Sequence, residues 1–476
     1  MSSAQPSVIV IGSGPGGYEA ALTAAHIGAR VHLIESGGVG GAAVLTDCVP
    51  SKALIATADF MDRFTAARRI GVQFDGAPQN QGVTAHLDDI NARVINLAQA
   101  QSDDIRERLE QGGVEIISGQ GVVTSRGRVD VGDRQLEADV ILLATGARPR
   151  VLETAVPDGE RILTWQQIYA LTELPKHLIV IGSGVTGAEL AHAYLGLGCE
   201  VTLVSSRERV LPGQDADAAN LLEDVFRRRG MRVLNTSRAA SVERWSGEHV
   251  SSEHASGEHG EGVLVTLTDG RTVEGSHALL AVGSLPNTED LGLEEAGVDL
   301  SESGHIEVDR VSRTSVPGIY AAGDCTGVLP LASVAAMQGR IAVAHALGDA
   351  VAPLALRRVS SNIFTDPEIA TVGVSQEDLD EGRADARVVM LPLTKNPRAK
   401  MQNLHDGFVK IFARRGGDTI VGGVVVSPRA SELIFPITLA VASQLSVDQF
   451  ASTSTVYPSM SGSIAEAARQ LHSMAE

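Results

Sequence analysis

Val8-Ile-Val-Ile-Gly-Ser-Gly-Pro-Gly-Gly-Tyr-Glu19 is an apolar run, a glycine-rich turn and the opening of a small-residue stretch. Nearly the same text returns as Leu178-Ile-Val-Ile-Gly-Ser-Gly-Val-Thr-Gly-Ala-Glu189. A short apolar run bounded by glycine reads as a strand buried on both faces, as in a parallel sheet, and the Ala/Leu-rich stretch after each turn reads as a helix. A β-branched segment follows each copy, at 29–35 and 200–205. Strand, helix and parallel strand in this order form a right-handed unit, so the chain carries two of them. Working outward, 50 to about 112 reads as helical, with short strand signals at 115–117 and 140–143. Val140-Ile-Leu-Leu-Ala-Thr-Gly146 ends the first block, and Ala278-Leu-Leu-Ala-Val-Gly283 is its counterpart in the second. A helical stretch at 332–347 follows. From about 353 the texture changes to strands at 409–412 and 420–426 and a helix at 430–442, an α+β domain.

At 476 residues the chain is too long for a single core, and two to four domains are expected. Hydrophobic residues make up 43% but aromatics only 3%, so the core must be built from Val, Leu, Ile and Ala. A formal charge of −19 argues against nucleic acid or an anionic membrane as partner, since both would repel it. It leaves room for anionic small molecules, which helix N-termini bind locally. No apolar run approaches the ~18 residues of a spanning helix, so no membrane insertion is expected. The polar N-terminus reads as no export signal. Three cysteines (Cys48, Cys199, Cys325) are too few for a disulfide scaffold and fit a reducing cytoplasm. Cys199 and Cys325 read as small buried residues.

Gly12-x-Gly14-x-x-Gly17 sits where strand turns into helix. There the glycines permit the tight turn, the approach of backbone to a pyrophosphate, and close helix–strand contact. Glu35 falls 21 residues after Gly14, at the end of the next strand, in place to bind a ribose hydroxyl. The second fingerprint is Gly182, Gly184 and Gly187, with Ser205 at the matching offset. A lone fingerprint also occurs as a tight turn in ligand-free sheets; two in matching contexts imply two dinucleotides. The fold class is therefore α/β: two Rossmann-like dinucleotide-binding domains and an α+β C-terminal domain.

Gly40-Gly-Ala-Ala-Val-Leu-Thr-Asp-Cys-Val-Pro-Ser-Lys52 resembles the redox signature of the flavoprotein disulfide reductases, the family of dihydrolipoamide dehydrogenase and glutathione reductase. Ala144-Thr-Gly146, Ala322-Gly-Asp324, Phe364-Thr-Asp-Pro-Glu368 and Gly422-Gly423 follow in that family's order. The resemblance implies an FAD-binding domain at 1–150, an NAD(P)-binding domain at 151–277, a central FAD-completing region at 278–352, and a C-terminal dimerisation domain of a homodimer at 353–476. It also implies roles. Gly12, Gly14, Gly17 and Glu35 would hold the adenosine diphosphate of FAD, with Thr145 and Gly146 beside them. Lys52 would lie near flavin N5 and pair with Glu189. Asp324 would hold the ribityl chain. The helix beginning at Ala332 would turn its positive end to the flavin edge where negative charge gathers on reduction. Gly182, Gly184, Gly187, Ser205, Arg207 and Gly283 would line the NAD(P) site.

The chain departs from that family where the thiol chemistry resides. Of the signature's two cysteines only Cys48 is present; Ala43 stands at the other position, so the redox disulfide cannot form. Aligned on Pro458, Tyr457 replaces the family's acid–base histidine and Gly462 its glutamate. A phenol, with a reference pKa near 10, is no base near neutral pH. The expected activity is therefore that of the family's NAD(P)H quinone reductase offshoots. Hydride passes from NAD(P)H to the flavin and electrons go directly to a quinone. The alternatives are a soluble NAD(P) transhydrogenase and a non-catalytic flavoprotein. Cys48 is then either a packing contact beside the flavin or a thiolate interacting with it. Ser205 lacks the carboxylate that would repel a 2′-phosphate, and Arg207 and Arg209 follow closely, which tilts the expectation to NADPH, with NADH possible. Gly187 is typical of NAD-type turns and pulls the other way, and the two arginines also read as a solvated surface pair.

One insertion repeats every five residues, placing His249, His254 and His259 among glutamates and serines. That period puts ligands on no single face of a helix or strand, so the segment reads as a solvated loop and no metal site is expected. Deleting 246–260 should leave FAD content and quinone turnover near wild type, as flavin absorbance and a menadione assay would show. Lost activity together with stoichiometric zinc in the parent protein would reverse this reading.

Overall fold

Both quoted apolar runs are strands buried along their length, Ser7–Ile11 and His177–Ile181, in a computed structural model that describes residues 5–72, 83–245 and 261–473. The 246–260 insertion lies outside the described residues. The chain divides into two compact units.

The first unit gathers Met1–Ser51, Ala92–Arg150 and Gly283–Ala355. Its centre is a parallel sheet in the order Ile319–Ala321, Val140–Leu143, Ser7–Ile11, Arg30–Glu35, Glu115–Ser118. Successive strand residues point to opposite faces, and here both faces are apolar. Val8, Val10, Leu33 and Leu142 pack on Ala20, Ala21 and Ala24 of the helix Pro15–Ile27. Ile9, Ile11, Ile34 and Ile141 pack on Val123, Val129 and Val131 of an antiparallel meander, Gly121–Ser125, Arg128–Val131 and Arg134–Glu137. The helix Ala332–Ala346 lies against Pro15–Ile27 so closely that a Cβ on Gly339 would come within 2.0 Å of the Gly16 carbonyl oxygen. Arg340 pairs with Glu19 across the same contact at 2.8 Å.

The second unit gathers Lys52–Asn91, Val151–Val282 and Leu356–Glu476. It repeats the parallel design in the order Arg232–Leu234, Glu200–Val204, His177–Ile181, His277–Leu280, Ile162–Thr164. The matching meander is Ala239–Trp245, Gly262–Leu267, Thr272–Gly275. The C-terminal part is an antiparallel sheet in the order Ser360–Ile363, Glu368–Gly373, Ile420–Ser427, Phe408–Arg414, Ala386–Pro392, with the helices Ala430–Ser443 and Gly462–Ser473 on its core. Lys410 of this sheet is 2% exposed. Its ammonium donates to both oxygens of Asp215 (3.1 and 2.8 Å) and to Asp217 (2.6 Å), at the cap of the helix Ala216–Arg228. A charge so buried is tolerable because carboxylates surround it.

The α/β architecture with its α+β C-terminal part is the one expected. The expected helical stretch at 50–112 is instead two helices, Cys48–Ala66 and Leu87–Gln111. Among the described residues no helix is long and apolar enough to cross a membrane.

Adding a methyl at Gly339 must spread the two helices. Overpacking of this kind costs about 1–3 kcal/mol, so Gly339→Ala should lower the thermal unfolding midpoint followed by circular dichroism. An unchanged midpoint would show that this helix contact carries no stability.

Candidate functional site

Each fingerprint divides its three glycines between two tasks. Gly12 has φ +95°, and a Cβ there would stand 2.3 Å from the Ala144 oxygen; one on Gly17 would stand 1.8 Å from the Gly12 oxygen. Gly182 and Gly187 repeat this, at 2.1 Å from the Ala281 oxygen and 1.9 Å from the Gly182 oxygen. Gly14 and Gly184 differ from these, since a Cβ on either would meet nothing within 4 Å. Both are N-caps, of the helices Pro15–Ile27 and Val185–Gly196, and no side chain caps either helix. The outcome is twice the same: open space before uncapped amides at the positive end of a helix, which suits a pyrophosphate.

Around the first cradle the carboxyl ends of adjacent strands deliver the other expected residues of the first unit. Glu35 is held from four sides: Ser13 donates through its amide (2.8 Å) and hydroxyl (2.6 Å), Gly37 through its amide (2.6 Å) and Gly38 through its own (3.2 Å). Thr145 donates its hydroxyl to the Asn287 carbonyl at 2.6 Å, and Gly146 follows with φ +69°. Gly283 begins the return of the chain, where Ser284–Pro286 pairs with Ala147–Pro149. Asp324 ends this set, beside Gly323, whose amide donates to the buried Gln338 side chain at 2.9 Å. Burial pushes the Asp324 carboxyl up. A carboxyl in such a place can accept from hydroxyl donors. Ala332 opens its helix after Leu331, again with no side-chain cap. An open cradle, a braced acid and a half-buried carboxyl fit the adenosine diphosphate and the polyol chain of FAD.

In the second unit Ser205 occupies the place of Glu35. It is fully buried, and its hydroxyl lies 2.7 Å from that of Ser183, the serine that corresponds to Ser13. Ser205 also accepts from the Arg207 amide at 3.2 Å, while the Arg207 side chain is exposed. Lys52 and Glu189 meet as expected, Nζ to Oε2 at 2.8 Å. Glu189 is 2% exposed, and its other oxygen accepts from the Phe364 amide at 2.9 Å. The Phe364 ring lies under the Lys52 ammonium at 5.2 Å. Phe364 was legible only as part of a motif; its double contact with the ion pair was not. Cys48 opens the helix that carries Lys52 one turn later, and Ala43 lies in the short helix Gly41–Leu45. None of the three cysteines is in a disulfide. Burial pushes the Cys199 thiol up to about 12 and the Cys325 thiol up to about 11, which suits inert core residues. Tyr457 is 82% exposed.

Comparison with known proteins agrees with this geometry. The model of the pyridine nucleotide-disulphide oxidoreductases matches residues 6–339, and that of their dimerisation domain matches 359–468. A Mycobacterium tuberculosis protein named NAD(P)H dehydrogenase (quinone) is 52% identical, over 98% of this chain and 93% of its own length. The crystal structure of LpdA from the same organism superposes with a TM-score of 0.89 at 52% identity, covering 98% of this chain and 99% of that one. A dihydrolipoyl dehydrogenase of Chlamydia trachomatis is 32% identical, over 97% of this chain and 95% of its own length. With both family models matched in sequence order and both glycine cradles built, the chain belongs to the pyridine nucleotide-disulphide oxidoreductase family.

Proposed function

We propose that this chain is a cytoplasmic, homodimeric FAD-dependent NAD(P)H:quinone oxidoreductase that prefers NADPH and delivers electrons to a diffusible quinone with no disulfide relay. The observation that carries this reading is one of contrast: two intact nucleotide cradles and a seated Lys52–Glu189 pair share a chain with Ala43 and Tyr457. Everything needed to bring two dinucleotides to the protein is retained, and what a dithiol would need is gone. The 52% identical relative bears the name of a quinone-reducing enzyme.

When bound, FAD would supply the hydride acceptor for NAD(P)H and the two-electron donor for the quinone. The overall change is NAD(P)H, a proton and a quinone to NAD(P)⁺ and a hydroquinone. The chain's own contribution is positioning and charge. The uncapped helix starts at Gly14 and Gly184 would face the two pyrophosphates, and Glu35 would hold a ribose. Lys52, held by Glu189 and Phe364, places a fixed positive charge where electron density arrives, in a setting where such charges act strongly. Ala43 carries no sulfur, so the signature's redox disulfide cannot form.

Coenzyme preference follows from the second cradle. Ser205 puts no carboxylate where a 2′-phosphate would sit, its hydroxyl is already taken up by Ser183, and the exposed Arg207 is left to meet the phosphate. The Ser13–Glu35 contact in the first unit indicates that an acid can be seated against the matching serine. Ser205→Glu should therefore shift the NADPH/NADH ratio of kcat/KM toward NADH by roughly tenfold, or ~1.4 kcal/mol. Initial rates with each coenzyme measure it, and a ratio indifferent to both Ser205→Glu and Arg207→Ala would remove these residues from the site.

The purified protein should carry one FAD per chain and turn over menadione with NADPH, while lipoamide and glutathione disulfide give negligible rates. Comparable rates with lipoamide would overturn the absence of a relay. Fast reduction of thio-NAD with no quinone turnover would point to a transhydrogenase instead.

A further inference from the structure

The helices Cys48–Ala66 and Val185–Gly196 meet at more than the Lys52–Glu189 pair. His192, one turn beyond Glu189, is fully buried, and its Nε2 lies 3.1 Å from Asp59 Oδ1, seven residues beyond Lys52. At Gly196 a Cβ would stand 3.1 Å from the Ala58 Cβ and 3.1 Å from Asp62 Oδ2, so the helices close to near contact there. Residues 189, 192 and 196 share one helix face, and 52, 59 and 62 share one face of the other.

His192 is itself held on every side. Its ring stacks on Phe226 with centroids 6.4 Å apart. Arg229 reaches Nδ1 at 3.4 Å with one nitrogen and pairs with Asp62 through another. A guanidinium has no acceptor, so Nδ1 accepts, and the ring proton of a neutral imidazole sits on Nε2 and is donated to Asp59. Asp366 faces the same cluster, and burial, above all, pushes its carboxyl up. Oxygens of Asp59 and Asp62 and a nitrogen of His192 lie within 4.8 Å of one another, but Arg229 already supplies the cation.

A single ion pair is a pivot. Lys52 has a four-carbon stem and its side chain is 31% exposed, so the ion pair by itself sets the place of the ammonium only loosely. The Asp59–His192 bond adds a second point about 10 Å further along the lysine-bearing helix, seven residues at 1.5 Å each. We propose that His192 is a positioning residue for Lys52: through Asp59 it locks the lysine-bearing helix onto the helix of the second cradle, and so fixes where the ammonium stands during NAD(P)H oxidation. This rests on the part given to Lys52 under Proposed function.

The test is anaerobic stopped-flow reduction of the bound flavin by NADPH in the holoenzyme. His192→Phe keeps the stacking on Phe226 and removes the lock; it should lower the limiting rate about tenfold, with FAD content and the NADPH dissociation constant near wild type. His192→Gln, whose amide can both donate to Asp59 and accept from Arg229, should recover most of that rate. Asp59→Ala releases the lock from the other side and serves where His192→Phe does not retain flavin. In a Lys52→Met background, removing the lock should slow the reaction no further, because two residues acting through one group are not additive. Equal slowing in both backgrounds would overturn the proposal, as would unchanged limiting rates in His192→Phe and Asp59→Ala. Lys52→Met at wild-type speed would show instead that the part given to Lys52 is wrong, and this proposal would fall with it. Flavin reduction that behaves as expected without quinone turnover would leave the lock standing and remove only the acceptor.

Discussion

Strand and helix meet in this chain with no side chain between them, and most of the architecture follows from that. At Gly17 the first turn of a helix lies so near the end of the preceding strand that a Cβ would stand 1.8 Å from the Gly12 carbonyl oxygen, and Gly187 repeats the contact at 1.9 Å. Such proximity aims the helix axis at the carboxyl edge of the sheet. No side chain caps the first turn of either helix. Neighbouring strands end at the same edge, so Glu35, Thr145 and Asp324 arrive near one another without any loop having to reach for them. The apolar faces behind the edge supply the rigidity. Val8, Val10, Ile9 and Ile11 are buried on opposite sides of one strand, and a shift of one residue would exchange the two faces wholesale.

The Lys52–Glu189 pair obeys a different logic. Glu189 lies almost wholly out of water, and a carboxylate there is costly unless its charge is answered. Lys52 and the Phe364 amide answer it together. Removing one member of a buried pair costs about 3–5 kcal/mol, since the survivor stays buried and unpaired. Stability and chemistry are thus bound up in the same two side chains. The same reasoning applies to Lys410, whose two aspartate partners sit at the beginning of a helix where negative charge is already favoured.

What could be read from the text alone was whatever repeats or whatever lacks a side chain. The two glycine fingerprints, the apolar strands beside them and the acid that ends the next strand each carry a local signature, and they are where the reading placed them. The meanders were not anticipated, although Val131-Gly132-Asp133-Arg134 has the composition of a tight hairpin turn. The strands of the first meander, four or five residues each, supply too few alternations to stand out against loop. The break between Cys48–Ala66 and Leu87–Gln111 was hidden because the stretches on both sides carry helical residues. Ser183 and His192 were out of reach for another reason. Ser183 matters only through Ser205, and His192 only through Asp59 and Arg229, all distant in sequence. Nothing in the residues near each one announces the partner.

The paired serines have a bearing on how such a protein changes over generations. A carboxylate in one half and a hydroxyl in the other each bond the corresponding serine, Ser13 or Ser183. The two are not interchangeable without cost, because Glu35 also answers the amides of Gly37 and Gly38, whereas Ser205 accepts from the Arg207 amide. A lineage that swaps one for the other must therefore re-satisfy the turn behind it, and a change of charge at the rim of a cradle comes with a change in that turn.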